Sequence, residues 1–139
     1  MKRLRLLVLA GVLAAALPIG MTAAGASGGS SPSNYVTIKD RAQFDLQGTY
    51  IQVGGTVKCH GGGLRVVEVF VTQKYPQTPH PQGAYGLGTQ SVVCDGKERS
   101  YAATVPPGLF DAGKAHATAT LDPLAPTATA SKWITIVHV

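Results

Sequence analysis

Short apolar runs, interrupted by turn-forming residues, are the main pattern along this chain. Between residues 35 and 139, apolar positions do not recur at i, i+3, i+4 and i+7 over any window long enough for an amphipathic helix. Runs rich in Val, Ile, Thr and Tyr, bounded by Gly, Pro, Asp and Asn, are typical of short β-strands. The predicted strands are residues 35–39, 49–60, 64–73, 89–94, 98–105, 114–121 and 132–139.

These segments predict a single all-β domain over residues 35–139. Seven to eight short strands without a helix favour a two-sheet sandwich of the immunoglobulin-like type. A small closed barrel is the main alternative. The sequence leaves open whether the last strand, residues 132–139, pairs within the domain or with another molecule.

The segment "LRVVEVFVTQ" (64–73) is the strongest strand prediction. Both of its alternating faces are mainly apolar, which is typical of a central strand covered on both sides. Gly54 and Gly55 predict a bulge or a break in pairing, and glycines 61–63 predict a tight turn. Alternate alanines in residues 114–121 predict a half-buried strand with small residues inward. The predicted connections are residues 74–88, 106–113 and 122–131.

The first residues predict an export signal. Lys2, Arg3 and Arg5 precede an apolar run over residues 6–17, and a small-residue stretch follows. A basic start, a short apolar core and a small-x-small cleavage site are the layout of a signal peptide, whereas a membrane-spanning helix needs about 20 apolar residues. We expect residues 1–26 to be removed and residues 27–34 to form a flexible lead-in. The mature protein is then secreted, free or associated with the cell wall, without stable membrane insertion.

Signal cleavage changes the charge of the protein. The full chain has 12 Lys and Arg against 7 Asp and Glu, a net charge of +5. Three of those cations lie in residues 1–26, so the mature chain keeps nine cations against seven acids, a net charge of +2. No basic stripe with interleaved aromatic residues remains, so nucleic acid is not an expected partner.

Cys59 and Cys94 are the two cysteines of the chain. In an exported protein an even pair usually forms a disulfide, and strand alternation allows both sulfurs to point inward. We predict a Cys59–Cys94 bond, which chain entropy makes worth roughly 3 to 4 kcal/mol.

Metal binding and thiol catalysis are the alternative roles for these cysteines. A zinc site needs about four ligands, and the chain's histidines do not fall into paired ligand spacings. They are His60, His80, His116 and His138. A catalytic thiol needs a histidine that a third group orients, and nothing in the sequence specifies one. We expect no metal, no cofactor and no enzymatic activity.

Three stretches carry a resemblance to known proteins. In order, "GTVKCHGGG", "SVVCDGKERSYAATV" and "GLFDAGKAHATATL" resemble small secreted immunoglobulin-like proteins of actinobacteria, of which several groups are uncharacterised. The resemblance covers about residues 49 to 121 and implies the fold and export only. One departure from antibody domains is clear, since their tryptophan lies between the two cysteines and Trp133 follows both.

The predicted connection over residues 74–88 is the candidate recognition loop, with Tyr75, Pro76, His80 and Tyr85 as its candidate contact residues. Long loops in small domains are often functional. Prolines reduce the entropy lost on binding, and tyrosines provide broad amphipathic contact area. An ordinary variable connection between strands is the alternative.

The sequence predicts one of two functions. The first is a secreted immunoglobulin-like binding module for an unknown extracellular protein or glycan. The alternative is a proteinaceous inhibitor of a secreted hydrolase that presents residues 74–88.

Overall fold

The computed structural model describes residues 33–106 and 109–139. Within these ranges the chain forms eight strands: β1 (Tyr35–Val36), β2 (Arg41–Phe44), β3 (Ile51–Lys58), β4 (Leu64–Gln73), β5 (Ala84–Val93), β6 (Glu98–Val105), β7 (Gly113–Leu121) and β8 (Ala128–Val137). The all-β prediction is confirmed for this part of the chain. The predicted signal peptide and nearly all of the predicted lead-in lie outside the described residues.

The strands form a mixed, mostly antiparallel sheet. β3 pairs with β6 along one edge and with β1 and β2 along the other. β2 then pairs in parallel with β8, which continues through β7 and β4 to β5 in antiparallel pairs. The last strand therefore pairs within the domain.

The core is built from alternate residues on the inner face of the sheet. On β4, Val67, Val69 and Val71 are fully buried, and on β7 the alanines at 115, 117 and 119 are buried beside them. The predicted inward placement of small residues on residues 114–121 is thus confirmed. Because a strand has a side-chain period of two, the intervening residues of these strands point away from the core.

The prediction that both faces of β4 are covered is wrong. The outward side chains of Leu64, Val66 and Phe70 are 71%, 37% and 41% exposed. An apolar composition on both faces of a strand predicts that both faces are buried. Among the described residues, however, no further layer covers the outward face of this sheet. β4 is nevertheless an interior strand of the sheet, because β5 pairs with one of its edges and β7 with the other.

The connection after β4 is shorter than predicted. Residues 84–88 belong to β5, which pairs with β4 over its whole length, so the connection is residues 74–83. Gly86 and Gly88, which read as loop residues in the sequence, allow close packing instead. A Cβ on Gly88 would collide with the Thr104 carbonyl of β6, and one on Gly86 would lie 2.6 Å from Val105 Cγ1.

Gly54 and Gly55 do not interrupt β3, contrary to the sequence prediction. β3 and β6 pair without a break from Ile51↔Val105 to Lys58↔Glu98. A Cβ on Gly55 would overlap the Thr37 carbonyl and lie 2.8 Å from the Tyr101 ring. Glycine is required at position 55 because the backbone at Thr37 approaches β3 too closely for a side chain. Close approach of another backbone is a second reason for a glycine within a strand.

Further strand bounds differ from the prediction. β1 is Tyr35–Val36 and not residues 35–39, and β3 is Ile51–Lys58 and not residues 49–60. β2 was not predicted, because its four residues "RAQF" are too short to show a pattern. β8 begins at Ala128 and takes up part of the predicted link over residues 122–131. For β2 and β8, a neighbouring strand supplies pairing that the local sequence does not indicate.

The predicted disulfide between Cys59 and Cys94 is confirmed. Both cysteines are fully buried, and their Cα atoms are 4.6 Å apart. Cys59 directly follows β3 and Cys94 directly follows β5, so the bond joins β5, at one end of the strand order, to β3 near the other end. The turn at Gly61–Gly63, where all three glycines have positive φ, packs beside it, and Gly62 N donates to the Cys94 carbonyl at 2.8 Å.

None of the described segments forms a helix with the length and hydropathy of a membrane span.

Candidate binding face

The outward residues of β5, β4, β7 and β8 form one continuous surface, which we call the outer face. Pairing register aligns Tyr85, Thr72, His116 and Trp133 as a row across these four strands. Side chains of directly paired residues lie on the same side of a sheet and contact each other. The register thus places three rings, those of Tyr85, His116 and Trp133, in one row, although they come from three different parts of the chain.

Two aromatic rings stand at the β5 end of the outer face. Phe70 and Tyr85 are diagonal neighbours with ring centroids 6.5 Å apart. Tyr85 is 74% exposed, and Leu87, which pairs with Phe70, is also exposed. This end of the face is therefore apolar and open to solvent.

The β7–β8 end of the row carries a second aromatic group. The rings of His116 and Trp133 meet edge to face at 5.0 Å between centroids. Lys114 Nζ lies 4.8 Å from the centre of the Trp133 ring, within the range of a cation–π contact. Trp133 nevertheless remains 58% exposed, so most of its surface is free to contact a ligand.

A surface cleft of about 490 Å³ lies between this aromatic group and the connection after β4. We call it the aromatic cleft. Its lining residues are Thr72, Lys74, Tyr75, Gln77, Lys114, His116 and Trp133. It therefore combines two large rings with hydroxyl, amide and ammonium groups.

Two buried polar side chains hold the connection 74–83 in place. Gln73 Nε2 donates to the Asp111 carbonyl at 2.8 Å, and Gln73 Oε1 accepts from the Asp111 N–H at 2.8 Å. Thr78 Oγ1 donates to the Leu109 carbonyl at 2.5 Å. Both side chains are almost fully buried, and a buried polar group is expected to be hydrogen-bonded. The segment that carries Tyr75 is thus anchored to the segment before β7.

Gln77 joins the same two segments at the cleft. Its Oε1 accepts a hydrogen bond from the Lys114 N–H at 3.2 Å. Gly113, at φ 134°, lies directly beside this amide, and a Cβ there would be 2.5 Å from Gln77 Oε1. The glycine therefore permits the contact that closes one side of the cleft.

The four residues predicted for the recognition loop do not form one group. Tyr75 is 62% exposed and lines the aromatic cleft. Pro76 follows it on the surface, and the half-buried His80 donates its backbone N–H to Thr78 Oγ1. Tyr85 lies in β5 and belongs to the row on the outer face.

The sequence does not predict four residues of the outer face as contact residues: Phe70, Lys114, His116 and Trp133. The alternation of residues 114–121 already places His116 opposite the inward alanines. Its pairing with Trp133 depends on the register of β7 and β8, which the sequence does not specify.

A second cleft of similar volume lies at the other end of β4. Leu64, Val66 and Leu124 contribute apolar surface to it, and the Arg65–Asp122 ion pair, at 2.8 Å, borders it. Away from both clefts, the Arg99 guanidinium lowers the pKa of Asp95 to about 2. Within residues 33–106 and 109–139, no three His, Cys, Asp or Glu side chains gather at a position that could hold a metal ion.

Two solved structures are similar to this chain in fold. One is DesR, a beta-glucosidase from Streptomyces venezuelae in complex with D-glucose, with a TM-score of 0.49 and 15% identity over 73% of this chain. The other is a beta-glucosidase from Kluyveromyces marxianus, with a TM-score of 0.42 and 14% identity over 76% of this chain. The chain spans about 15% of the length of each of these proteins.

A search of curated proteins found no match. The family described as "Family of unknown function (DUF6299)" matches residues 32–133. Because the match covers most of the chain, this protein belongs to that family.

Proposed function

We propose that this protein is a secreted, immunoglobulin-like binding module that holds its ligand on the outer face. The observation that carries the proposal is the row across four paired strands that presents the exposed rings of Tyr85 and Trp133 at its two ends. Large exposed apolar patches on a small domain mark interaction sites. Tyr, Trp and Phe are also the residues enriched at interfaces.

The strand order supports the sandwich. In the proposed sandwich, β6, β3 and β1 would make up one layer and β8, β7, β4 and β5 the other, with β2 joining them by pairing with β3 and β8. The inner faces of both layers contribute to one cluster of buried residues. The tight approach of Gly88 on β5 to Thr104 on β6 brings the far edges of the two layers together. This arrangement agrees with two antiparallel sheets packed face to face.

Secretion is supported by the disulfide, since such bonds persist in oxidising compartments. It agrees with the signal-like residues 1–26 and with the resemblance to secreted actinobacterial proteins. A binding role is preferred to catalysis because the aromatic cleft is lined by rings, amides and ammonium groups. Its one imidazole, on His116, meets the Trp133 ring edge to face, whereas a catalytic base is usually oriented by a third group toward a nucleophile.

A retention assay tests the binding role. Purified mature protein is mixed with insoluble cell-envelope material and with total secreted protein of the producing cells, and the bound fraction is measured. We expect retention that falls at least about tenfold in a Tyr85→Ser/Trp133→Ser variant, because ring anchors dominate such interfaces. Leu46→Ser, which removes an equally exposed apolar side chain away from the outer face, is the matched control. Retention that is unchanged in the double variant would contradict the proposal.

An inhibitor of a secreted hydrolase is the second candidate. It is favoured by the anchoring of residues 74–83 through Gln73 and Thr78, because a preorganised loop loses little entropy on binding. This function predicts loss of activity of a co-secreted protease at stoichiometric protein, and relief of inhibition by Tyr75→Ala. Absence of inhibition of any co-secreted protease would exclude it.

A further inference from the structure

We propose that the aromatic cleft binds an acidic glycan, that is, a chain of sugar rings bearing carboxylate or phosphate groups. This inference rests on the proposed function and specifies the ligand class for the outer face. It follows from three properties of the cleft: its rings, its neutral polar groups and its charge.

The rings provide stacking surfaces. Tyr75 and Trp133 both line the cleft and are 62% and 58% exposed. One face of a sugar ring consists largely of C–H groups, which pack well against the electron-rich face of an aromatic ring. Rigid side chains with few rotatable bonds lose little entropy when they make this contact.

The neutral polar groups match the edge of a sugar ring. The Thr72 hydroxyl and the Gln77 amide both line the cleft beside the rings. Gln77 Oε1 already accepts from the Lys114 N–H, so its amide nitrogen is the group left to donate. Hydroxyls and amides both donate and accept hydrogen bonds, as the hydroxyl groups of a sugar require.

The charge of the cleft selects an anion. Lys74 and Lys114 line it, and no Asp or Glu is among its described lining residues. Glu68 lies on the same outer face but two rows of pairing away from Thr72. Because Lys114 Nζ is 4.8 Å from the Trp133 ring centre, an acidic substituent on a sugar stacked on this ring would be within reach of the ammonium group. Neither lysine forms an ion pair within the part of the chain that the structure describes. Two such cations beside stacking rings favour a ligand that carries both a ring and a negative charge.

The length of the row favours a polymer over a single sugar. Trp133 on β8 and Tyr85 on β5 are separated by three strand spacings, roughly 14 Å at about 4.8 Å per spacing. A chain of several sugar rings can stack on the cleft and continue toward Tyr85 and Phe70. A short acidic peptide would satisfy the lysines but would not use the exposed ring faces.

Binding titrations with matched polysaccharides test this proposal. The probes are polygalacturonate and its carboxyl-reduced form, and a phosphorylated mannan and its dephosphorylated form. We expect at least one acidic member to bind, and its uncharged counterpart to bind at least about tenfold more weakly. Binding should weaken as ionic strength rises, because salt screens exposed charges. Binding of polygalacturonate would indicate a carboxylate ligand, and binding of the phosphorylated mannan would indicate a phosphate ligand.

Variants locate the site. Trp133→Ala should weaken binding at least about tenfold, and Lys114→Gln several-fold. Lys97→Gln is the matched control, because it removes the same single positive charge from an exposed position in the turn after Cys94. This variant should bind like the wild type. Lys114→Gln also keeps the test decisive if Trp133→Ala fails to fold, because Lys114 is an exposed side chain.

Several results would overturn the inference. If uncharged and acidic glycans bind equally through Trp133, or if poly-glutamate binds as tightly as the acidic glycan, the ligand class is wrong but the binding face stands. If no glycan binds while envelope retention still depends on Tyr85 and Trp133, the ligand class is wrong and the proposed function survives. If Lys97→Gln weakens binding as much as Lys114→Gln, the charge dependence is not specific to the aromatic cleft and the inference is wrong, while the retention assay on Tyr85 and Trp133 still decides the proposed function.

Discussion

The ring of His116 on β7 packs edge to face against Trp133 on β8, with 5.0 Å between the ring centroids. This pair lies at the β8 end of the row that crosses the outer face, where Lys114 Nζ is also 4.8 Å from the centre of the Trp133 ring. An aromatic pair of this geometry contributes about 0.5–1.5 kcal/mol beyond its buried area. The contact therefore links the stability of the β7–β8 pair to the shape of the candidate binding site.

We predict that His116→Ala lowers the free energy of unfolding by about 0.5–1.5 kcal/mol and changes the emission of Trp133. His116→Phe, which keeps an aromatic ring, should retain most of this stability. Because Trp133 is the one tryptophan of the chain, urea unfolding followed by fluorescence reports on this contact. Equal stability of the alanine variant and the wild type would show that the pair contributes nothing.

Removal of the disulfide should be strongly destabilising. Cys59 and Cys94 are 35 residues apart in sequence, and closing a loop of that size in the unfolded chain is worth about 4 kcal/mol. We expect the Cys59→Ser/Cys94→Ser variant to lose about 3–4 kcal/mol in denaturant unfolding. The wild type unfolded with a reductant present is the control and should lose a similar amount. A loss below about 1 kcal/mol would mean that the unfolded chain already holds the two segments together.

Two adjacent glycines of β3 should respond differently to alanine. A Cβ on Gly55 would overlap the Thr37 carbonyl, whereas one on Gly54 would lie 3.3 Å from the Tyr101 carbonyl. We predict a loss of at least about 2–3 kcal/mol for Gly55→Ala, as for overpacked sites, and about 1 kcal/mol or less for Gly54→Ala. Thermal unfolding of the two variants measures the difference. If they are equally stable, the close approach of the segment around Thr37 to β3 is incorrect.

Stability should fall at high pH because of Tyr101. Burial raises the pKa of Tyr101 to about 12, and its hydroxyl donates to the Thr37 carbonyl at 2.6 Å. The unfolded chain ionises this phenol near its ordinary pKa of about 10. The stabilisation from the protonated phenol is therefore complete below about pH 10 and is lost as pH rises from there through about 12.

We expect phenolate absorbance to show one tyrosine that ionises only together with alkaline unfolding, and Tyr101→Phe to remove that component. Because the hydrogen bond is also lost, this variant should be about 1–2 kcal/mol less stable at neutral pH. Tyr50→Phe is the control on another tyrosine. An alkaline dependence that persists unchanged in Tyr101→Phe would assign it to another group.

The anchor of the connection 74–83 should depend on Gln73. Gln73→Leu keeps the side-chain volume but leaves the Asp111 N–H and carbonyl without their partner, which should cost about 1–3 kcal/mol. We also expect faster amide hydrogen exchange and faster proteolysis within residues 74–83. Thr89→Val, a change on an exposed position of β5, should alter stability by less than about 0.5 kcal/mol. Unchanged exchange in Gln73→Leu would show that the connection is held by other contacts.

Several elements were predictable because their signals are local. Residues 64–73 and 98–105 match β4 and β6 residue for residue, since β-branched runs bounded by glycine and charged turns indicate strands without reference to the rest of the chain. β5 was predicted too short because Gly86 and Gly88 carry a loop signal locally. Their real role, contact with β6, involves residues that are distant in sequence.

The candidate site was predicted only in part. Tyr75 was identified because an exposed tyrosine in a proline-rich segment is informative by itself. Trp133 and Lys114 were missed, because their place beside Tyr75 depends on the pairing of β4 with β7 and of β7 with β8. A shift of one residue in either register would turn these side chains to the opposite face.

The sequence alone determined the all-β class, the partner of each cysteine and the approximate positions of most strands. These features follow from side-chain period, turn chemistry and the count of two cysteines, all of which can be read within a few residues. The tertiary structure decided which apolar face of β4 stays open, why the strand glycines are needed, and that rings from three strands share one row. Those features depend on register and on the packing of distant segments, where the free energy is set by contacts that no local pattern contains.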